Sequence, residues 1–562
     1  MARRAAFAPS ALLVPLAFAA FAACSAGADD AGQAAAGVGG RGASSEHAGT
    51  GAGFATGAGA SSSSAGGGSV VIPDPTTCAE AQTSRTYVGC DFWPTVLDNI
   101  VRPDFDFAAV VANTLDSDAN ITVTRDGATV ATAIAPANGL VKIYLPWVEA
   151  LKSLTPANGC PTNVKLSTVS APGGGYHLTS DKPVAVYQFN AIEYAGRGGP
   201  PGKDWSTCQT MSCFHTVDCY SYTNDASLLL PTTALTSTYR VAGPPPWKED
   251  TSTDPSNPMS FTFPAYFSVT GTQAGTTVTV KLSQTGAIQG GGGVPMTPLG
   301  GTATFQVGAG DVVLVVGTPA SDFSGTLVTS TAPIQVLAGI SCTYLPHDVA
   351  ACDHVEESVL PAETLGRHYF VARPTGPTGA PNGQIVRIFG NVDGTQLTYP
   401  GTNPGGPSTI DAGQVVDLGD VSSDFEIVGD HEFMVGTFMV GAGANNGARE
   451  GDPSQSFATT VEQFRLKYVF LAPDDYDKSF VDVVGPVASQ VTLDGMPLGA
   501  TFTPLSSGFG VARVALGAGN GGAHVLESDQ PVGVQVLGYG AYTSYQYPGG
   551  LNLGKIAPPP VH

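Results

Sequence analysis

Ser180-Asp181-Lys182-Pro183, leading into Val184, Val186 and Gln188, is the stretch on which the reading of the fold turns. It returns as Ser330-Thr331-Ala332-Pro333 before Ile334, Val336 and Ala338, and as Ser528-Asp529-Gln530-Pro531 before Val532, Val534 and Val536. A degenerate copy, Gly429-Asp430-His431-Glu432, stands before Phe433 and Val435. Ahead of each copy lies another alternating run: Tyr176 and Leu178, Thr326 and Val328, Phe425 and Ile427, His524 and Leu526. Alternation with period two turns one face of a strand into a core. Ser and Asp side chains bond nearby backbone amides, and proline fixes φ where a strand can spare its N–H. The pattern predicts a β-hairpin at every copy.

Other elements keep step with it. Leu230-Pro231, Leu235, Tyr239 and Val241 recur at a constant offset as Leu360-Pro361, Leu365, Tyr369 and Val371. Turn-flanked strands such as Thr122-Val123-Thr124, Val278-Thr279-Val280 and Val491-Thr492-Leu493 punctuate the chain. Internal repetition of this kind marks stacked supersecondary units. The expected fold class is all-β: tandem antiparallel β-sandwich modules behind a disordered N-terminal tether, in four units at 78–195, 220–345, 355–445 and 457–550. Units that share sheets and form one continuous body are the alternative arrangement.

The N-terminus reads as a secretory signal over residues 1–23, with Arg3 and Arg4 before the apolar run from Ala11 to Ala20. That run is too short to span a bilayer. Ala22-Ala23-Cys24 resembles a bacterial lipobox, with Phe21 where Leu or Val is usual, so Cys24 is the expected lipidation site. Residues 24–69 are nearly all Gly, Ala and Ser, a composition that cannot bury enough surface to order itself. Ser25, in place of an aspartate after the cysteine, points to the outer membrane or cell surface.

Composition narrows the function classes. With 24 Lys and Arg against 46 Asp and Glu, the formal charge is -22, which disfavours nucleic acid and anionic membrane surfaces as partners. Gly (72) and Pro (43) are abundant and charged residues few (12%), as in turn-rich extracellular β proteins. Cys78, Cys90, Cys160, Cys208, Cys213, Cys219, Cys342 and Cys352 form an even set, which in an exported chain predicts disulfides. Cys78–Cys90 and Cys342–Cys352 each close a short loop, leaving the other four to pair among themselves. The spacing of Cys208, Cys213 and Cys219 matches no zinc pattern.

Phe323-Ser324-Gly325-Thr326-Leu327-Val328-Thr329-Ser330, then Cys342, Leu345-Pro346 and Cys352-Asp353-His354-Val355-Glu356-Glu357, resemble the signature of the IgGFc-binding protein N-terminal domain family. Asn224-Asp225-Ala226-Ser227-Leu228-Leu229-Leu230-Pro231 and Ser544-Tyr545-Gln546-Tyr547-Pro548-Gly549-Gly550 are similar to it as well, so the resemblance covers most of the chain from Cys78 onward. It implies a β-rich extracellular binding or adhesion module. Antibody binding does not carry over, because no Fc-contact motif can be matched residue by residue.

Few clusters offer chemistry. Asp353, His354, Glu356 and Glu357, with His347 nearby, are the densest polar group and the candidate metal ligands; the competing reading is a stapled loop whose acids cap the next element or pair with Arg367 or a lysine. Asp116, Asp118 and Asn120 outline a calcium-like loop, but Ile121 stands where Gly is needed. Asp474, Asp475 and Asp477 form a second acidic loop, Gly290 to Gly293 a flexible hairpin tip, and Tyr539, Tyr542, Tyr545 and Tyr547 a set that could stack on sugar rings or pack a last strand. No G-x-S-x-G elbow is present and the nine histidines are scattered, so catalytic residues and cofactors are expected to be none. The expected function is binding or adhesion to an extracellular protein or glycan, with a structural envelope role, or a metal-dependent extracellular enzyme, as alternatives.

Overall fold

A computed structural model describes residues 74–153, 165, 167–208, 219–250, 260–445, 449–516 and 522–560. The leader, Cys24 and the 24–69 stretch lie outside the described residues, as do Cys160 and Cys213. Within them the regular structure is nearly all antiparallel strand, as the alternation predicts. Thr302–Val307 alternates exposed and buried along its length, whereas Phe107–Ala112, Val312–Val316 and Gln384–Gly390 are buried on both faces. Such doubly buried strands read in sequence as unbroken apolar runs. One short α-helix, Cys78–Ser84, is started by a Thr77–Glu80 capping box and stapled by Cys78–Cys90. Cys208 pairs with Cys219, and Cys342 with Cys352.

The proline motif does not make a hairpin. Strands His177–Asn190, Leu327–Thr343 and Ala523–Gly540 run straight through their copies. Only the degenerate copy interrupts a strand, between Phe425–Gly429 and Phe433–Met439. Each uninterrupted copy is instead a corner at which one long strand passes from one sheet of a sandwich to the other. Residues 327–330 pair with Thr276–Lys281, while residues 334–340 pair with Ala265–Gly271. Residues 177–180 likewise pair with Ala119–Arg125 and residues 185–190 with Phe107–Ala112. Bent strands that switch sheets are a known way to close a sandwich edge. Period-two alternation resumes on either side of a bend as it does on either side of a reversal, so the pattern alone does not separate the two.

The chemistry of each corner repeats where its residues do not. The second residue of every copy takes a backbone N–H from the neighbouring strand: Asp181 from Asn120 (2.8 Å), Thr331 from Thr277 (2.9 Å), Asp430 from Gln396 (2.8 Å) and Asp529 from Gln490 (2.7 Å). A tyrosine fixes the far side of three corners. Tyr239 donates its hydroxyl to the Ile334 carbonyl (2.6 Å), Tyr369 to Phe433 (2.6 Å) and Tyr468 to Val532 (2.5 Å). Each hydroxyl also accepts a backbone N–H from three residues upstream, at Thr236, Gly366 and Arg465. This is the logic of a tyrosine corner, with one side chain holding two backbone segments.

The sandwiches meet through four edge strands: Ala226–Leu229, Asp353–Ser358, Gln455–Phe457 and Thr543–Pro548, all buried. One hydrophobic core runs from Tyr87 through Leu228, Leu360, Phe457 and Tyr547 to Leu553. Tyr187 donates to the carbonyls of both Val469 and Gly549 (3.0 Å each). Val169–Ala171 adds an edge to Val312–Val316, so a strand from one sandwich completes the sheet of the next. The C-terminal segment returns to the first sandwich: Tyr87 N–H donates to the Leu551 carbonyl (3.1 Å) and Leu553 N–H to that of Arg85 (2.8 Å).

Tyr239→Phe, Tyr369→Phe and Tyr468→Phe each strand a buried carbonyl, which costs about 1–3 kcal/mol. Each variant is expected to unfold at lower urea concentration than the wild type, measured by tryptophan fluorescence. An unchanged midpoint in all three would contradict the corner's structural role.

Candidate functional site

Strand Asp353–Ser358 carries the four candidate ligands, and every one of them is fully buried. Alternation puts His354 and Glu356 on one face, and the His354 Nε2 lies 3.0 Å from Glu356 Oε2. Glu356 Oε1 accepts from Gln188 Nε2 and Ser227 Oγ, both at 2.9 Å, and Oε2 accepts from Asn190 Nδ2. The Glu356 amide donates to Asp225 Oδ2 (3.0 Å). Asp225 in turn accepts from Ser454 Oγ (2.6 Å) and from the Gln455 amide (3.1 Å). On the other face, Asp353 Oδ2 accepts from Thr543 Oγ1 (3.3 Å). Beside it, Asp452 Oδ1 holds the amides of Ala351 (3.1 Å) and Ala442 (3.0 Å). These acids tie together the edge strands Ala226–Leu229, Asp353–Ser358, Gln455–Phe457 and Thr543–Pro548.

The group differs from both sequence readings. Its acids cap no helix and pair with neither Arg367 nor a lysine; their partners are neutral side chains, amides and His354. His347 is not part of it, being exposed and paired with Asp348 at 2.8 Å. Among the described residues no three His, Cys, Asp or Glu side chains are placed to hold a metal ion. Asp225, which anchors the network, sits far from the acidic block in sequence. Its sole signal was its place in the stretch 224–231 that resembles the family.

Burial pushes the carboxyls of Asp225, Asp353 and Glu357 well above the usual range, and Asp452 to about 7. The neighbouring Asp452 and Asp225 raise Asp353 further. An acid that keeps its proton in the fold but loses it in the unfolded chain costs stability as pH rises. The loss begins above the ordinary carboxylate value of about 4 and continues through the folded value.

The remaining candidates fall in place as follows. Asp116 accepts from Asn138 Nδ2 (2.9 Å) and Asp118 from the Ala137 amide (3.0 Å), so both hold a turn, while Asn120 bonds Asp181. Asp474 and Asp475 both receive Lys142 Nζ, and Asp477 pairs with Arg197 (2.7 Å). The glycine tip is packed, not free: a Cβ on Gly291 would lie 2.4 Å from the Thr168 carbonyl oxygen. Tyr539, Tyr545 and Tyr547 are core residues, and Tyr542 alone of the set is half-buried.

An open hollow of about 440 Å³ is the surface feature that sequence reading missed, lined by Asp104, Asp106, Lys203, Asp204, Trp205 and prolines 103, 200 and 201. Lys203 Nζ sits 4.2 Å from the Trp205 ring centre, and the indole N–H donates to the Gly198 carbonyl (2.9 Å). Below it, burial and the nearby Asp106 raise Glu193 to about 8. Gly199 permits the close approach: a Cβ there would meet Lys203 Cδ at 2.6 Å and Glu193 Oε1 at 2.7 Å. The signal lay in Gly198-Gly199-Pro200-Pro201-Gly202, a loop composition with an aromatic and charges behind it.

The thermal midpoint is expected to be higher near pH 5 than near pH 8, by differential scanning calorimetry. Asp452→Asn should flatten that difference, since an amide keeps the shape without the titration. A midpoint that rises with pH over this range would contradict the protonated acids.

The IgGFc binding protein family matches residues 225–538, a span that begins at Asp225 and includes Asp353, Glu356 and Asp452. The human IgGFc-binding protein is 28% identical over 279 residues, which is 47% of this chain and 5% of that protein. The chain therefore spans a small fraction of its relative's length. Among solved structures, an anti-sigma factor domain-containing protein aligns at 10% identity over 56% of this chain and 92% of its own, with a TM-score of 0.11, too low to bear on the fold. Matched over more than half its length, with the signature acids joining its sandwiches, the chain belongs to the IgGFc binding protein family.

Proposed function

We propose that this chain is a cell-surface binding protein, held by a lipid on Cys24 and displayed at the end of the 24–69 stretch, whose partner is an extracellular protein or glycan. The observation that carries this reading is the fate of the family's acidic block. Its carboxyls are sealed in the middle of the body and spent on joining sandwiches, so a partner meets loops and sheet faces. Family membership points to binding in place of catalysis. Disulfides such as Cys78–Cys90 suit an oxidising compartment outside the cytosol. The Trp205 hollow supplies what such contacts use: a half-buried aromatic face, prolines, and carboxylates beside one lysine.

The full chain, applied to arrays of extracellular proteins and glycans, is expected to bind a defined subset. Trp205→Ala should lower that binding about tenfold, a loss of the size expected when an aromatic anchor is truncated. Retained affinity would move the contact elsewhere on the surface, and an array with no binder at all would overturn the binding role. Separately, Cys24→Ser is expected to release the protein from the membrane to the soluble fraction. Unchanged membrane association would overturn the anchor.

A further inference from the structure

Lys152 is buried to 4% exposure, yet among the described residues no carboxylate lies within ion-pair distance of it. A lysine without a carboxylate partner in a protein interior is costly and calls for an explanation. Its Nζ donates to the Asn99 side-chain carbonyl (2.9 Å) and to the Val101 carbonyl, with the Trp147 ring centre 4.6 Å away. Asn99 is itself fully buried and cannot turn. Its Oδ1 also accepts the Val101 amide (3.1 Å), and its Nδ2 donates to the Leu97 carbonyl (2.9 Å). An amine and a carboxamide are thus held together in a dry site, the carbonyl carbon one bond beyond the contacted oxygen. Holding two reactants in register is worth several orders of magnitude in rate.

We propose that Lys152 and Asn99 form an intramolecular isopeptide bond. The Nζ lone pair attacks Cγ of Asn99, one Nζ proton passes to Nδ2, the Cγ–Nδ2 bond breaks and ammonia leaves. Amine and primary amide become a secondary amide with no oxidant or reductant.

Two further features serve the step. Burial pushes the Lys152 ammonium down to about 7, so much of it is the free amine that can attack. Asp98, adjacent to Asn99 and also fully buried, is raised by burial and held by Ser153 Oγ (2.8 Å) and Ser341 Oγ. Its bonds to Ser153, the residue after Lys152, hold the lysine's segment against that of Asn99. The bond would link the segment after Leu140–Leu145 to the loop before Phe107–Ala112, across 53 positions of the chain. That is the sandwich nearest the proposed tether, where a pull on a bound partner would enter the fold. An amide there resists reduction, which a disulfide does not.

Peptide mapping of the purified full chain, after reduction and alkylation, tests it by mass spectrometry. The expected product is a branched peptide joining the Asn99 and Lys152 segments, lighter than their sum by one ammonia. Asn99→Asp should give the same branched peptide with water lost from the carboxyl. Lys152→Arg should abolish it. Recovery of both wild-type segments as separate linear peptides with unmodified Asn99 and Lys152 would overturn the proposal, whether or not the variants fold.

Discussion

A carboxylate with no exposure to water must have its oxygens met by donors, or its burial costs several kcal/mol. Glu356 meets that demand with Gln188, Ser227 and, from its own strand, His354, while its amide is taken by Asp225. Asp225 then reaches Ser454, beside Gln455–Phe457, and Asp353 reaches Thr543 at the start of Thr543–Pro548. The four edge strands can come together only in the one register that completes these bonds. The apolar core around them supplies most of the driving force, but apolar contact is indifferent to the direction of approach. Directional bonds to buried acids are not.

That division of labour explains what the sequence revealed. Strand class, the even cysteine set and two disulfide pairs follow from local rules, and Cys78–Cys90 and Cys342–Cys352 both form. The repeat was legible because Pro183, Pro333 and Pro531 recur at one place in three copies, each leading into an alternating run. Its geometry was not. Whether Ser180 to Pro183 reverses the chain or bends it depends on which strands lie alongside, a long-range matter that alternation does not encode. The acidic block was visible as residues but not as a junction, since its partners Gln188, Ser227, Ser454 and Thr543 are ordinary polar residues far apart in the chain.

Conserved geometry without conserved residues runs through the repeats. Thr331 does at one corner what aspartates do at three, and Glu432 replaces proline where the strand breaks in two. Tyr468 performs the same double bond as Tyr239 and Tyr369 despite sitting in a different local sequence. Units that drift in sequence can therefore keep their packing, provided the few backbone clips survive.

The bonds of Leu553 to Arg85 and of Tyr87 to Leu551 tie the segment leading into strand Gly89–Phe92 to residues far along the chain. Closure of the fold at residues 85–87 therefore rests on contacts of very great sequence separation, a kind that loop-closure entropy delays.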